Sequence, residues 1–347
     1  MKLSISSSLK DFTKQCFPSI FYRLKSYRAY NLLKKAYLYD IKRYFEHSDY
    51  FYNDSEQRCM MRIIHRYHSI EKGLCMPEMR LGFGKENISE LIKDCVKYKK
   101  KHLFIAEKNN SAGYQQFKHA VGTLLEYKQI HLDAGYSLSQ DFLQTLDFLS
   151  EGFDFNTIDN QIETTKEKYL KNVNSSFEEF SESRYSLRNF AGKIKTDDII
   201  KAVEIAQNSP SACNRQPARV HIIENEELKN NFLNLQGGNR GFGFLADKVI
   251  IVSVELAGYR GINERNGLFV DGGIYAMNLL YALHSKKIGT CSLNWSYTPE
   301  KDLLLRKMID FPDSQTPVMI IACGGVPDKF KLTFSKRSSV ESVIFQH

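Results

Sequence analysis

Two arginines four residues apart, with a hydroxyl between them, stand in Ser183-Arg-Tyr-Ser-Leu-Arg-Asn-Phe190. A guanidinium is a rigid fork that meets phosphate oxygens two at a time, and a serine adds a further donor. The segment therefore suits an anion, although paired arginines also occur on solvated faces. Near the end of the chain, Ser335-Lys-Arg-Ser-Ser339 again sets cations beside hydroxyls. That composition serves an anion site as well as it serves a charged tail.

Two further stretches carry polar or backbone chemistry. In Asn208-Ser-Pro-Ser-Ala-Cys-Asn-Arg-Gln-Pro217, prolines bracket small and amide residues. The backbone there is stiff and offers its N–H and C=O groups outward, which fits the edge of a flat heteroaromatic or a plain helix-to-strand connection. In Lys287-Ile-Gly-Thr-Cys-Ser-Leu-Asn-Trp295, Gly289 permits close backbone approach to a ligand. Trp295, the single tryptophan, reads as core with an aromatic wall as the other possibility.

The elements that must hold these residues change character near residue 180. Before it the signal is helical throughout. Ile88, Leu91, Ile92, Cys95 and Val96 share one helix face, and further helices are predicted over Tyr114–Leu132 and Ser139–Ser150, with Ser139 as cap. Residues 1–175 are thus expected to be all-helical, and the polar run Asn172–Ser183 to be a linker. After it, a helix is predicted over Asp197–Gln207 with Thr196 as cap. Strands are predicted at Arg219–Ile223, Lys248–Glu255, Gly289–Leu293 and Pro317–Cys323, with an apolar helix at Phe269–His284. Helices mixed with short strands indicate an α+β domain over 181–347. No Gly-x-Gly-x-x-Gly opens a helix after a strand, which disfavours a dinucleotide-binding doubly wound fold.

At 347 residues, 42% hydrophobic and 25% charged, the sequence is of ordinary globular composition and long enough for two domains. Its apolar runs fall far short of the roughly 20 residues of a membrane-spanning helix. The first residues lack an apolar signal core, so an intracellular, cytoplasmic location is expected. Seven scattered cysteines without CxxC spacing read as small buried hydrophobes, and no metal site is expected. Residues 1–50 hold ten lysines and arginines against four acids. With Phe21, Leu24, Tyr27, Tyr30 and Leu33 at helical spacing, this segment reads as a helix packed on its own domain. Docking to an anionic membrane surface or an acidic partner is the alternative. No nucleic-acid recognition motif accompanies the charge.

Taken together, Arg184-Tyr-Ser-Leu-Arg-Asn-Phe190, Pro210-Ser-Ala-Cys-Asn-Arg-Gln-Pro217, the Ile-Gly-Thr-Cys segment behind an apolar helix and the late Ser-Lys-Arg resemble, in order, the motifs of the FMN-dependent nitroreductase family. The resemblance covers about half the chain. It implies a nitroreductase-like α/β sandwich, an intertwined homodimer with FMN at the interface, and hydride transfer from NAD(P)H through FMN to a nitro, quinone or enone compound. By the same resemblance Arg184, Ser186 and Arg337 are phosphate ligands, and Arg188 is the cation at the flavin N1–C2=O edge. Pro210, Ser211, Asn214 and Gln216 belong to a loop bordering the flavin, from the partner subunit. Gly289, Thr290 and Asn294 belong to the strand whose backbone donates toward N5, and Asn239 is a candidate ribityl or pyrimidine contact. No side chain is expected to act covalently; the flavin carries the chemistry.

The sequence departs from the family at Ala218, where an aromatic is common, and in its long helical extension. Within that extension, His65-Arg-Tyr-His-Ser-Ile-Glu-Lys-Gly-Leu74, followed by Phe83-Gly84, resembles a subgroup in which some members accompany bacterial surface-polysaccharide loci. A flavin-binding accessory or scaffold role in such a pathway, without NAD(P)H turnover, is the alternative function. His65, His68, Glu71 and Lys72 lie at helical spacings and read first as packing, with a general acid above the flavin or metal ligation as the other options.

Overall fold

A computed structural model describes residues 14–49, 55–108, 111–155, 161–295 and 297–347. The N-terminal half is built from α1 (Pro18–His47), α2 (Glu56–Leu74), α3 (Lys85–Lys101), α4 (Leu103–Lys108), α5 (Ala112–Asp133) and α6 (Gln140–Ser150). The Ser55, Ser111 and Ser139 hydroxyls each accept from the backbone N–H three residues on, closing the first turns of α2, α5 and α6. On α2, Cys59, Ile63, Tyr67, Ile70 and Leu74 fall on one face. They bury against Leu91 and Cys95 of α3 and Phe117 and Leu124 of α5, giving this half its own core.

α1 departs from the expected packed helix. None of its 30 residues is buried. Arg265 holds it through a bidentate pair with Asp40, at 2.7 and 2.8 Å. Apolar and basic residues are distributed all round this helix, so no single stripe exists to bury.

The rest of the chain forms β1 (Ile162–Thr165), α7 (Lys166–Leu170), α8 (Phe177–Ser183), α9 (Thr196–Ala206), β2 (Ala218–Ile223), α10 (Glu226–Gln236), β3 (Lys248–Glu255), α11 (Gly267–Ser285), β4 (Gly289–Asn294), α12 (Pro299–Ile309), β5 (Gln315–Gly324) and β6 (Lys329–Leu332). The fold is α+β. An antiparallel four-stranded sheet runs in the order β2-β3-β5-β4. In β3 the residues from Val249 to Val254 are all buried. Its Ile250 and Val252 meet α9 and α11, while Val249 and Ile251 meet Leu187, Phe232 and Trp295 on the other face. α11 approaches the sheet at Gly272, where a Cβ would come within 2.8 Å of Val254 and Val318.

Three further expectations need correction: Asn172–Ser183, expected as a linker, is helical from Phe177 on, with the Ser176 hydroxyl capping it. The stretch before residue 175 is not wholly helical: β1 pairs antiparallel with β6, Ile162 opposite Leu332. Four residues of Ile-Glu-Thr-Thr carry too short an alternation to be distinguished from loop, and only the C-terminal partner makes them a strand. Thr196 is the first helical residue of α9, and Lys195 occupies the cap position. The Thr196 hydroxyl instead bonds the Glu224 carboxylate.

Candidate functional site

The segment after α8 is extended and anchored by its apolar residues. Leu187 is fully buried and Phe190 nearly so. The Leu187 N–H donates to the Thr290 carbonyl at 2.8 Å, stitching the segment to β4. Beside these anchors, Arg184, Ser186 and Arg188 line a cleft of 430 Å³ together with Arg337. Arg188 is buried and donates to Thr333 Oγ1 at 3.3 Å.

The opposite wall comes from the helical half. Tyr67, His68 and Lys72 of α2 line the same cleft. Glu71, on the buried side of that helix, is fully enclosed. Its Oε2 lies 2.9 Å from His68 Nδ1 and its Oε1 2.8 Å from His119 Nε2. Oε1 also accepts from the Ser335 backbone N–H at 3.3 Å. Burial pushes the Glu71 carboxyl up, but the bonds from His119 and His68 outweigh it and hold it at about 2. Tyr67 donates to Gln116 Oε1 at 2.5 Å, and Gln116 Nε2 reaches the Lys336 carbonyl and the Ser338 hydroxyl at 3.3 Å. The late basic segment is therefore fixed by side chains from α2 and α5.

The cleft is strongly cationic. Among the described residues, no carboxylate pairs with Arg184, Arg188, Arg337 or Lys72. Burial lowers the Lys72 pKa, and the nearby Arg188 guanidinium lowers it further. Hydroxyls of Ser186, Ser292, Thr333 and Ser335 stand among these cations. Like charges gathered without counter-ions favour an anionic occupant, and guanidinium forks beside hydroxyls are the donor set of a phosphate monoester. The residues present thus fit the phosphate of FMN. No cluster able to hold a metal ion occurs among the described residues.

The remaining candidates lie elsewhere in the chain. Pro210, Asn214 and Gln216 are exposed on a loop away from the cleft, with Ser211 half-buried beside them. Ser211 Oγ accepts from the Gln216 N–H at 3.0 Å, and Cys213, Asn214 and Gln216 adopt positive φ. Thr290 is buried, with its carbonyl used by Leu187. Leu187 also occupies the space beside Gly289, where a Cβ would stand 2.3 Å from its Cδ2. Asn294 is exposed on the same side of β4 as Ser292. Asn239 is buried and donates to the Leu233 carbonyl at 2.6 Å and to Gln236 Oε1 at 2.9 Å. Its neighbours Gly238 and Arg240 line a second cavity, of 540 Å³, which shares Lys72 with the first and is floored by Met76, Phe83 and Phe242. Trp295 is core, stacked on Phe232 with ring centres 5.5 Å apart.

Sequence reasoning missed the support that the buried Gln116 and His119 give to the cleft wall from behind. Their only signal was polarity on the inner face of an otherwise apolar helix, Gln116 beside Phe117 and His119 beside Ala120. Ser292 lies inside the Lys287–Trp295 segment without having been singled out itself, and Thr333 stands two residues before the Ser335–Ser339 segment.

An α+β sheet domain thus carries a cationic cleft whose lining suits a phosphorylated ligand. Residues 182–239, which include Arg184, Ser186 and Arg188, match the model of the Nitroreductase family. The match is confined to this stretch of the C-terminal region, and a helical region precedes it. Solved structures similar to the chain include a proposed NADH oxidase from Clostridium acetobutylicum, 21% identical, covering 48% of this chain and 99% of that one with a TM-score of 0.43. A nitroreductase family protein from Clostridium difficile 630 is 20% identical, covering 49% and 97% with a TM-score of 0.40. An FMN-dependent nitroreductase from Clostridium difficile R20291 is 17% identical, covering 48% and 92% with a TM-score of 0.38. No curated protein significantly matches the chain.

Proposed function

We propose that the chain is an FMN-dependent oxidoreductase that takes hydride from NAD(P)H and reduces a small oxidised molecule of nitro, quinone or enone type. The observation that carries this reading is the convergence of Arg184, Ser186, Arg188 and Arg337 from distant segments onto one cleft without a pairing carboxylate. In this reading Arg184, Ser186 and Arg337 hold the FMN phosphate. Arg188 stands at the ring edge, where a fixed cation offsets the negative charge that reduction leaves at N1 and O2. Bound FMN supplies two-electron hydride chemistry, and the protein positions it and sets the charge around it.

The reading includes a homodimer. Phe269, Val270 and Ile274 of α11 are exposed large apolar residues on one helix, a surface suited to burial against a second copy. The Pro210–Gln216 loop is exposed and does not reach the cleft of its own chain, which supports a role, with Asn214 and Gln216, at a partner's flavin. Gly289, Thr290, Asn294 and Asn239 enter as backbone and secondary contacts. Peripheral docking of the basic α1 to an anionic membrane or acidic partner belongs to the same proposal. Among the described residues, no helix is long and apolar enough to cross a membrane.

The test is the visible absorbance of the purified protein with FMN added and excess removed, before and after NADH or NADPH under anaerobic conditions. Retained flavin bands that bleach on adding either nucleotide are expected. A colourless protein after reconstitution would overturn the reading, and retained flavin that neither nucleotide reduces would favour the accessory role.

A further inference from the structure

We propose that His68, on a helix outside the flavin domain, is itself a ligand of the bound phosphate, held in place by Glu71. This deepens the proposed function and rests on it. Glu71 is a carboxylate with no solvent exposure on the inner face of α2. An ionised carboxylate at such a site needs partners. It takes three: His119 from α5, His68 one turn back on its own helix, and the Ser335 N–H from the far end of the chain.

The consequence is geometric. One carboxylate is bonded to His68 on one side and to the start of the Ser335–Arg337 segment on the other. His68, Ser335 and Arg337 line the same cleft. Whatever anion Arg337 and the Ser335 hydroxyl hold, His68 is therefore placed on the same cleft, joined to Ser335 through one carboxylate.

The chemistry agrees with the placement. Because Glu71 is ionised it can only accept, so His68 Nδ1 carries the proton of that bond. His119 closes the far side of the carboxylate and is itself buried. His68 alone of the two histidines reaches the cleft, with a third of its side chain exposed. Its Nε2 is the edge left over, and in the imidazolium form it donates to a phosphate oxygen while the carboxylate behind it offsets its charge. Glu71 acts through His68 and is a positioning residue.

The experiment is titration of the full-length protein with FMN and, separately, with riboflavin, which lacks the phosphate. The His68→Gln variant is expected to bind FMN roughly tenfold more weakly and riboflavin as the parent does, the size of one charge-assisted hydrogen bond. Glu71→Gln is expected to weaken FMN binding in the parent and to add little in a His68→Gln background. A merely structural role would lower affinity and melting temperature equally in both backgrounds. Unchanged FMN affinity in His68→Gln, or equal losses for FMN and riboflavin, would overturn the assignment. A parent protein that binds neither flavin would count against the proposed function instead. In that case inorganic phosphate decides: protection from thermal unfolding that His68→Gln loses supports the ligand, and protection it keeps overturns it.

Discussion

The Glu71 carboxylate accepts a hydrogen bond from the Ser335 backbone N–H at 3.3 Å, across 264 positions of sequence. That bond joins the core of the helical half to the last basic segment of the chain. It makes the extension part of the wall of the anion cleft and gives Arg337 a fixed neighbourhood. Replacing Glu71 by alanine leaves His119 buried without its partner and frees Ser335. We expect a loss of about 3 kcal/mol, the scale for breaking a buried charge pair, read from urea unfolding. A loss below about 1 kcal/mol would mean that the joint between the halves does not depend on this carboxylate.

The same group sets an acid limit. Its folded pKa, about 2, lies below the ordinary carboxylate value of 4.5. The unfolded chain therefore binds the proton first as pH falls, and stability declines as pH drops from about 4.5 to 2. Above 4.5 the contribution is fully present. It amounts to about 3 kcal/mol for this enclosed group, and Glu71→Gln is expected to flatten that part of the stability profile.

His284 gives a second, separate window. It is fully buried behind Ser183, with Nε2 3.0 Å from the serine hydroxyl. Burial, and then Arg184, push its pKa down from 6.5 to about 4. Between these values the unfolded chain takes up a proton that the folded chain refuses, so stability falls as pH drops from about 6.5 to 4. Melting temperature measured across that range is expected to decline in the parent and much less in His284→Gln.

The cleft arginines are expected to separate by role. Arg184→Ala and Arg337→Ala should each weaken FMN binding by about tenfold or more, the size of a charge-assisted phosphate contact. Arg188→Ala should mainly slow flavin reduction by NAD(P)H, measured by stopped-flow absorbance. Equal FMN affinity in all three variants would remove the phosphate assignment.

Gly289→Ala places a methyl 2.3 Å from Leu187 Cδ2 and 3.3 Å from the Gly324 carbonyl. Both neighbours are held, Leu187 by its bond to β4 and Gly324 by the sheet. We expect about 1–3 kcal/mol of destabilisation from overpacking. Because Leu187 sits between Ser186 and Arg188, weaker FMN binding should accompany it. Full stability in this variant would show that the segment can shift freely.

Much of the fold was legible because its signals are local. The β-branched run Lys248–Glu255 is a strand at those bounds, and the apolar stretch around Phe269–His284 is a helix against the sheet. Side-chain caps such as Ser139 also act within a few residues. β1 and the true cap of α9 were not legible, since one needs a partner strand from the C-terminus and the other depends on Glu224 drawing Thr196 away.

The sequence alone offered Arg184, Ser186, Arg188 and Arg337 as residue types suited to an anion, and their order resembled a family pattern. It also determined that two regions of different texture meet near residue 180. Only the tertiary structure decided that the helical region lends Lys72 and His68 to the cleft, and that α1 stands unburied. The physical reason is range. Spacing reports which residues share a helix face or a turn, whereas the enclosure of Glu71 between α2, α5 and Ser335 is a contact of three distant segments. No local pattern encodes it.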